Sequence, residues 1–186
     1  HPGDATVIRP GGVGYACDAL KMIDFFTARR VEAIARIKAH GFEFVSEGAD
    51  IVMPDGARFI EAHFKGPDGV MLAVIESLSA PLERFVSVCD RLFSEIQSSS
   101  GPVSDFEPVR HFYEQVLGVP MGLSYEFESD SFSKMVGTRN TTRIRANNYG
   151  RVVEDPMLGI IHYGLPPGSF ESLRERAGPP HRGIVG

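Results

Sequence analysis

The order of predicted elements occurs twice along this chain of 186 residues, and this repeat is the strongest constraint on its fold. A strand predicted over Ala19–Thr27 leads into a helix over Arg29–His40, whose apolar residues recur at helical spacing before Gly41. Three further strands follow, joined by turns at residues 54–56 and 67–69, which read Pro-Asp-Gly in both cases. The first unit is therefore predicted to be a β-α-β-β-β module.

The same order of elements starts again about 75 residues later along the chain. A strand over Phe93–Val103 leads into a helix that is capped near Asp105 and ends at Gly118. The extended segments predicted after it are Leu123–Glu128, Thr142–Asn147 and Leu158–Tyr163. The repeat predicts an α+β fold of paired β-α-β-β-β modules, with curved mixed or antiparallel sheets and helices on the outer face.

The net charge, the apolar runs and the cysteine content of the chain limit its possible binding partners and its cellular compartment. A net charge of −5, with basic residues scattered along the chain, lacks the positive patch of a nucleic-acid-binding protein. No apolar run approaches the roughly 20 residues that a membrane-spanning helix needs. Cys17 and Cys89 lie far apart and in no paired motif, so we expect reduced thiols and a cytoplasmic protein. A small molecule of neutral or mixed charge is the expected partner.

Three segments resemble motifs of the vicinal-oxygen-chelate superfamily, which includes glyoxalase I, bleomycin-resistance proteins and extradiol dioxygenases. Residues 109–121, V-R-H-F-Y-E-Q-V-L-G-V-P-M, resemble its F-Y-x-x-x-L-G helix. Residues 35–48 resemble a helix end and the strand after it, and residues 66–76, G-P-D-G-V-M-L-A-V-I-E, resemble the superfamily's hairpin and following strand. The apolar residues of the 109–121 helix that we expect to face the sheet are Phe112, Val116 and Leu117.

The resemblance implies that two such modules pair to form a curved sheet around a cavity. We expect residues 1–80 to contain the second module of one domain and residues 81–91 to be a linker. Residues 92–186 are then expected to hold the first module, and the start of the second, of a further domain. On this interpretation the chain is a fragment of a longer two-domain protein, and module pairing could also join two copies into a homodimer.

The resemblance also identifies where a metal site would lie. Metal-dependent members of the superfamily carry a His or Gln on each opening strand and a Glu on the last strand of a module. The corresponding positions here are Met22, Ala73 and Ser98, which are poor ligands for a divalent cation. No cofactor is therefore expected, and a divalent metal would need ligands from residues outside this chain. Glu76, three residues after Ala73, is expected to face solvent because side chains alternate along a strand.

Other polar residues are candidates for a site. Alternation places Met22, Asp24 and Phe26 on one face of their strand, and the resemblance implies that this face lines the cavity. Asp24 could act as a base or accept a ligand hydroxyl, or it could pair with a basic residue on a neighbouring strand. Glu61 and His63 share a face, where they would be either an acid-base couple on the cavity wall or solvent-facing side chains.

Arg145 and His162 are candidates in the second module. They could bind an anionic group, although a lone His in an apolar strand is more often a hydrogen-bonded core residue. The candidate catalytic residues are thus Asp24, Glu61, His63 and His162, and the candidate ligand-binding residues are Met22, Phe26, Ala73, Ser98 and Arg145. Two functions stay open: an enzyme acting on a small organic metabolite, aromatic ones included, and a metal-free protein that sequesters a small molecule as bleomycin-resistance proteins do.

Overall fold

The computed structural model describes residues 15, 22–67, 70–79, 90–150, 157–166 and 168–169. The first module consists of β1 (Met22–Phe26), α1 (Arg30–Ala39), β2 (Phe44–Val52), β3 (Arg58–Lys65) and β4 (Met71–Ser77). The second module begins with β5 (Ile96–Pro102), α2 (Phe106–His111) and a π-helical turn (Phe112–Val116). It continues with β6 (Met121–Glu128), α3 (Asp130–Met135), β7 (Arg143–Tyr149) and β8 (Met157–His162).

The eight strands of the described segments form one curved sheet in the order β2-β3-β4-β1-β5-β8-β7-β6. Each module has its opening strand parallel to its closing strand, as β1 lies along β4 and β5 along β8. The remaining strands of each module are antiparallel, so the sheet is mixed. The predicted α+β fold of repeated β-α-β-β-β modules is confirmed.

The two modules pair directly with each other, which differs from the predicted placement in separate domains. β1 runs antiparallel to β5, and Asp24 is the register partner of Ser98. Buried residues of both modules, including Met22 and Ile144, share one hydrophobic cluster. Periodicity reveals that two modules exist, but it does not reveal which strand edges meet, because every open edge offers the same backbone groups. Further modules in a longer chain stay a prediction. The second module of the further domain, which is expected to start at His181, lies outside the described residues.

The sheet has a helix-covered convex side and a concave side that encloses the shared core. On the convex side, α1 buries Ala33 and Ile37 against Phe64 and Val74. This packing explains why the prediction for Glu76 is wrong. Its side chain is only 22% exposed and pairs with Arg30 of α1, with Nε and Oε2 3.4 Å apart. The face opposite the cavity is covered by a helix and is not open to solvent.

The second helix also differs from the prediction. Phe112, Val116 and Leu117 do not face the sheet, since they are 46%, 63% and 54% exposed. A π-helical turn takes more residues per turn than an α-helix, so apolar positions after His111 fall out of phase with the sheet. The residues of this segment that pack against the sheet are instead Phe106, Val109 and Tyr113.

The short helix α3 has no counterpart in the predicted elements. Ser129 caps it, because its hydroxyl accepts a hydrogen bond of 3.2 Å from the backbone N–H of Phe132. The Ser129 hydroxyl also donates to the backbone carbonyl of Asp50 in β2. The backbone N–H of Asp50 donates to the Ser131 hydroxyl at 2.8 Å. These bonds fix α3 of the second module onto β2 of the first and place Phe132, 1% exposed, over the concave core.

Candidate functional site

A cavity of about 120 Å³ lies on the concave side, where both modules contribute to its walls. The aromatic rings that line it belong to Phe26, Phe59, Tyr125, Phe127 and Phe132. The polar side chains that line it are Asp24, Glu61, Gln97, Ser98, Ser100 and Asn148. An apolar enclosure with a few grouped polar atoms is the usual form of a small-molecule site.

Strand register explains how the polar residues come together. His63, Ala73, Asp24 and Ser98 are successive cross-strand partners on β3, β4, β1 and β5. Side chains in one such row point to the same face of the sheet. Ala73 is fully buried between His63 and Asp24, and a larger residue there would occupy the space that separates the two polar groups.

Asp24 is buried in this row, with 7% of its surface exposed. Its Oδ2 accepts a hydrogen bond from the Ser98 hydroxyl, whereas Oδ1 has no hydrogen-bond partner among the described residues. Burial, followed by the negative charge of Glu61, raises the pKa of Asp24 from 3.8 to about 7, while the hydroxyls of Ser98 and Ser100 act in the opposite direction. Asp24 forms no ion pair with a described residue, so the expected pair with a basic side chain is not found.

Two buried hydrogen bonds in series, from Tyr15 to His63 and from His63 to Glu61, hold the Glu61 side chain in place. The Nε2 atom of His63 lies 2.5 Å from Glu61 Oε1, and Nδ1 lies 2.7 Å from the hydroxyl of Tyr15. Burial, and then the charge of Glu61, raises the pKa of the Tyr15 phenol, which therefore stays protonated and can donate to Nδ1. When the neutral His63 ring accepts the Tyr15 hydrogen bond at Nδ1, its own N–H is at Nε2. This N–H then donates a hydrogen bond to the carboxyl group of Glu61.

Neither Glu61 nor His63 faces solvent, which rules out one of the two interpretations of the sequence. The Glu61 side chain is 12% exposed and lines the cavity. His63 is fully buried and lies behind Glu61 as its hydrogen-bond partner. Of this pair, Glu61 is therefore the residue that a ligand could touch.

The remaining predicted residues divide between the two faces of the sheet. Met22, Phe26 and Ser98 line the cavity with Asp24. Arg145 and His162 instead lie in a shallow surface depression beside α2. Arg145 is paired with Glu107 and Glu126, each at 2.9 Å, so its charge is already matched.

His162 is tied to the backbone at the end of β8. Its Nδ1 accepts a hydrogen bond of 3.1 Å from the N–H of Gly164. Desolvation, followed by the positive charge of Arg145, lowers the pKa of His162. None of the described residues that line this depression also lines the cavity.

The residues with polar side chains that belong to the site but were missed from the sequence are Tyr15, Gln97, Ser100, Tyr125 and Asn148. Tyr125 had a usable signal, because Leu123, Tyr125 and Phe127 alternate along β6 and all line the cavity. No sequence pattern points to Tyr15, because it lies in a segment that is rich in Gly and has no regular spacing of apolar residues. Its role depends on a contact with a residue 48 positions away.

The described side chains of the cavity do not fit a divalent metal ion. Within the residues that the structure describes, no group of three His, Cys, Asp or Glu side chains is arranged to hold a metal. Both ring nitrogens of His63 are already hydrogen-bonded, and Met22 and Ala73 offer neither oxygen nor nitrogen donors. A metal at this position would need further donors from outside the described residues.

Comparison with solved structures found several similar chains. The structure is similar to glyoxalase I from Zea mays, with a TM-score of 0.51 and 16% identity over 84% of this chain and 46% of that chain. It is also similar to methylmalonyl-CoA epimerase from Mycobacterium tuberculosis, with a TM-score of 0.49 and 19% identity over 83% of this chain and 93% of that chain. A mutant 4-hydroxymandelate synthase from Streptomyces coelicolor gives a TM-score of 0.48 and 11% identity over 78% and 48% of the two chains.

The likeness to glyoxalase I defines the class of fold. The chain has the vicinal-oxygen-chelate fold, as its motifs predicted, and it spans about half the length of the glyoxalase I chains it matches. No protein-family model and no curated protein matches the sequence. None of the helices in the described segments is both long enough and apolar enough to cross a bilayer. The cytoplasmic location and the homodimer stay predictions.

Proposed function

We propose that this protein binds an uncharged organic molecule about the size of one ring in the concave cavity, with an oxygen of the ligand against Asp24. The observation that carries the proposal is that Asp24 lines the cavity while its buried Oδ1 atom has no hydrogen-bond partner among the described residues. A buried polar atom without a partner costs about 1–3 kcal/mol, and a ligand that supplies the partner recovers this free energy.

The size of the cavity supports a ligand of one ring. Its volume of about 120 Å³ is slightly below the roughly 150 Å³ of an engineered protein cavity that admits benzene. The rings of Phe26, Tyr125 and Phe127 on its walls suit a flat apolar body, since aromatic pairs favour stacked or edge-to-face contacts. This fits the small, aromatic metabolite expected from the superfamily resemblance.

The charges around the cavity support an uncharged ligand. Among the described residues that line it, Asp24 and Glu61 are acidic and none is a Lys or Arg. A ligand carboxylate would be placed beside Glu61 in a poorly solvated space, where repulsion between like charges is strong. A hydroxyl or carbonyl oxygen avoids this repulsion and can still pair with Asp24.

Binding of three small probes tests the proposal. The Kd of phenol, toluene and benzoate would be measured at pH 6 by NMR chemical-shift titration of the 186-residue protein. We expect phenol to bind roughly tenfold more tightly than toluene, because it adds one hydrogen bond, and benzoate not to bind. Asp24→Ala should remove the preference for phenol over toluene, while Asp90→Asn, a change at an exposed carboxylate, should keep it. Equal binding of benzoate and phenol would contradict the proposal.

A further inference from the structure

We propose that two copies of this chain associate through an apolar surface beside the end strand β6. This outer surface consists of Phe112, Val116, Leu117 and Met121, which lie on the π-helical turn, directly after it and at the start of β6. None of the four is among the residues that line the cavity. Association at the outer surface therefore does not require a ligand in the cavity.

The four side chains of the outer surface are large, apolar and in contact with solvent. Each of them is between 46% and 63% exposed. Single exposed apolar residues are common on folded proteins, whereas several of them side by side mark a surface that binds another molecule. The outer surface is therefore a candidate interface.

The fold places the apolar residues of the turn and of the strand on one side of the sheet. A hydrogen bond of 2.9 Å from the N–H of Val119 to the carbonyl of Tyr113 turns the chain back beside the π-helical turn. Met121 follows and is the register partner of Tyr149, whose ring stacks on that of Tyr113 with centroids 5.1 Å apart. Directly opposed residues of two strands point to the same face, so Met121 lies on the side of the π-helical turn.

The lack of charge on the outer surface favours a second copy of the chain as its occupant. In a two-fold symmetric dimer the same surface meets itself, so a charged residue at its centre would face an identical charge. Glu114 is the only charged residue between Phe112 and Tyr125. Its side chain is 18% exposed and pairs with Arg110 at 2.8 Å. The outer surface can therefore meet its own copy without repulsion between like charges.

The same charge distribution disfavours an anionic membrane as the occupant. Binding to anionic lipids depends on Lys and Arg side chains close to the apolar contact. The outer surface has neither, and the chain as a whole carries a net charge of −5. A lipid surface would therefore repel the chain.

The area of the outer surface is sufficient for a weak dimer. A large apolar side chain has on the order of 200 Å² of surface, so four that are about half exposed present on the order of 400 Å² on each copy. Two copies would bury on the order of 800 Å² from these side chains. The exposed residues Gly118 and Pro120 between them bring the total near the roughly 1,000 Å² of a small specific interface.

The strand edges of the sheet support the same location. β1 and β5 pair with each other within the chain, so two copies could associate through these edges only if the modules separated. β6 is an end strand of the described sheet, and Met121, Leu123 and Ser124 in its first half are exposed. An open strand edge can pair with the same edge of a second copy, and antiparallel pairing of two β6 strands is compatible with a two-fold axis.

Sedimentation equilibrium of the 186-residue protein, from micromolar to millimolar concentration, tests the proposal. We expect the average mass to rise from that of one chain towards that of two. Val116→Lys should raise the Kd of the dimer at least about tenfold, because it places like charges in a poorly solvated contact. The added lysine makes the net charge of −5 less negative, so overall repulsion between copies cannot explain a weaker dimer. A protein that stays monomeric at millimolar concentration would overturn the proposal.

Val31→Lys is the matched control, because it makes the same change at an exposed valine of the other module. Val31 is 75% exposed on α1 and Val116 is 63% exposed, so neither substitution removes a core contact. We expect the Kd of Val31→Lys to equal that of the unmodified protein. Equal Kd values for Val31→Lys and Val116→Lys would exclude the outer surface as the interface.

Amide hydrogen exchange, compared between monomeric and dimeric concentrations, locates the contact. We expect the amides of residues 112–125 to exchange more slowly in the dimer, because the second copy covers them. Slower exchange that is confined to other segments would assign the dimer to a different surface and overturn the proposal.

Discussion

Asp24→Asn is expected to stabilise the protein at pH 8 by up to about 4 kcal/mol, and to change its stability little at pH 4. The reason is that burial and the charge of Glu61 raise the pKa of Asp24 from 3.8 to about 7 in the folded protein. Between these two values the unfolded chain has lost the proton while the folded protein still holds it. The unfolded state then binds fewer protons, so the free energy of unfolding falls as pH rises through this window.

Urea unfolding of the two proteins between pH 4 and pH 8 measures this effect. Other carboxyl groups titrate in both proteins, so the informative quantity is the difference in the free energy of unfolding at each pH. The difference should grow from pH 4 to about pH 7 and then level off, because asparagine has no charge to bury. Asp90→Asn, at an exposed aspartate, should give a difference near zero throughout. A difference that is independent of pH for Asp24→Asn would contradict the raised pKa.

Phe132→Ala is expected to lower the free energy of unfolding by about 3–5 kcal/mol. Phe132 is 1% exposed and its ring centroid lies 5.2 Å from that of Phe127, 5.8 Å from that of His63 and 6.1 Å from that of Tyr163. The ring therefore connects α3 of the second module with β3 of the first. Truncation would leave a void beside the ligand cavity and remove contacts from both modules.

Phe112→Ala is the matched control for this prediction, because the same side chain is removed from a position that is 46% exposed. Urea unfolding should show a loss below about 1.5 kcal/mol for Phe112→Ala. If both variants lost the same free energy, Phe132 would not have the buried position between the modules that is described above.

Local features of the fold could be predicted because neighbouring residues encode them. The helix predicted over Arg29–His40 is observed over Arg30–Ala39, and Gly41 follows it with a φ of 84°, a conformation that glycine adopts without strain. Alternation along β1 placed Asp24 on the same face as Met22 for the same reason, since the direction of a side chain in a strand depends only on its position in the strand. That this face lines the cavity was implied by the resemblance.

Features that depend on distant residues could not be predicted. The pairing of β1 with β5 joins segments about 75 residues apart, and no local pattern distinguishes this partner from another open strand. The bond from Tyr15 to His63 likewise has no signature near either residue. The π-helical turn after His111 altered which residues face the sheet, although the apolar spacing there is compatible with a regular α-helix.

The bonds from Ser129 and Ser131 to Asp50 have a consequence for self-association. Within the described part of the chain, β2 is an end strand of the sheet. An uncovered end strand invites a strand of another molecule to add to it, which is a route to aggregation. At Asp50 the outward N–H and carbonyl are already satisfied by the two serine hydroxyls. At this position β2 therefore cannot serve as a template for the strand of a second copy while α3 is in place.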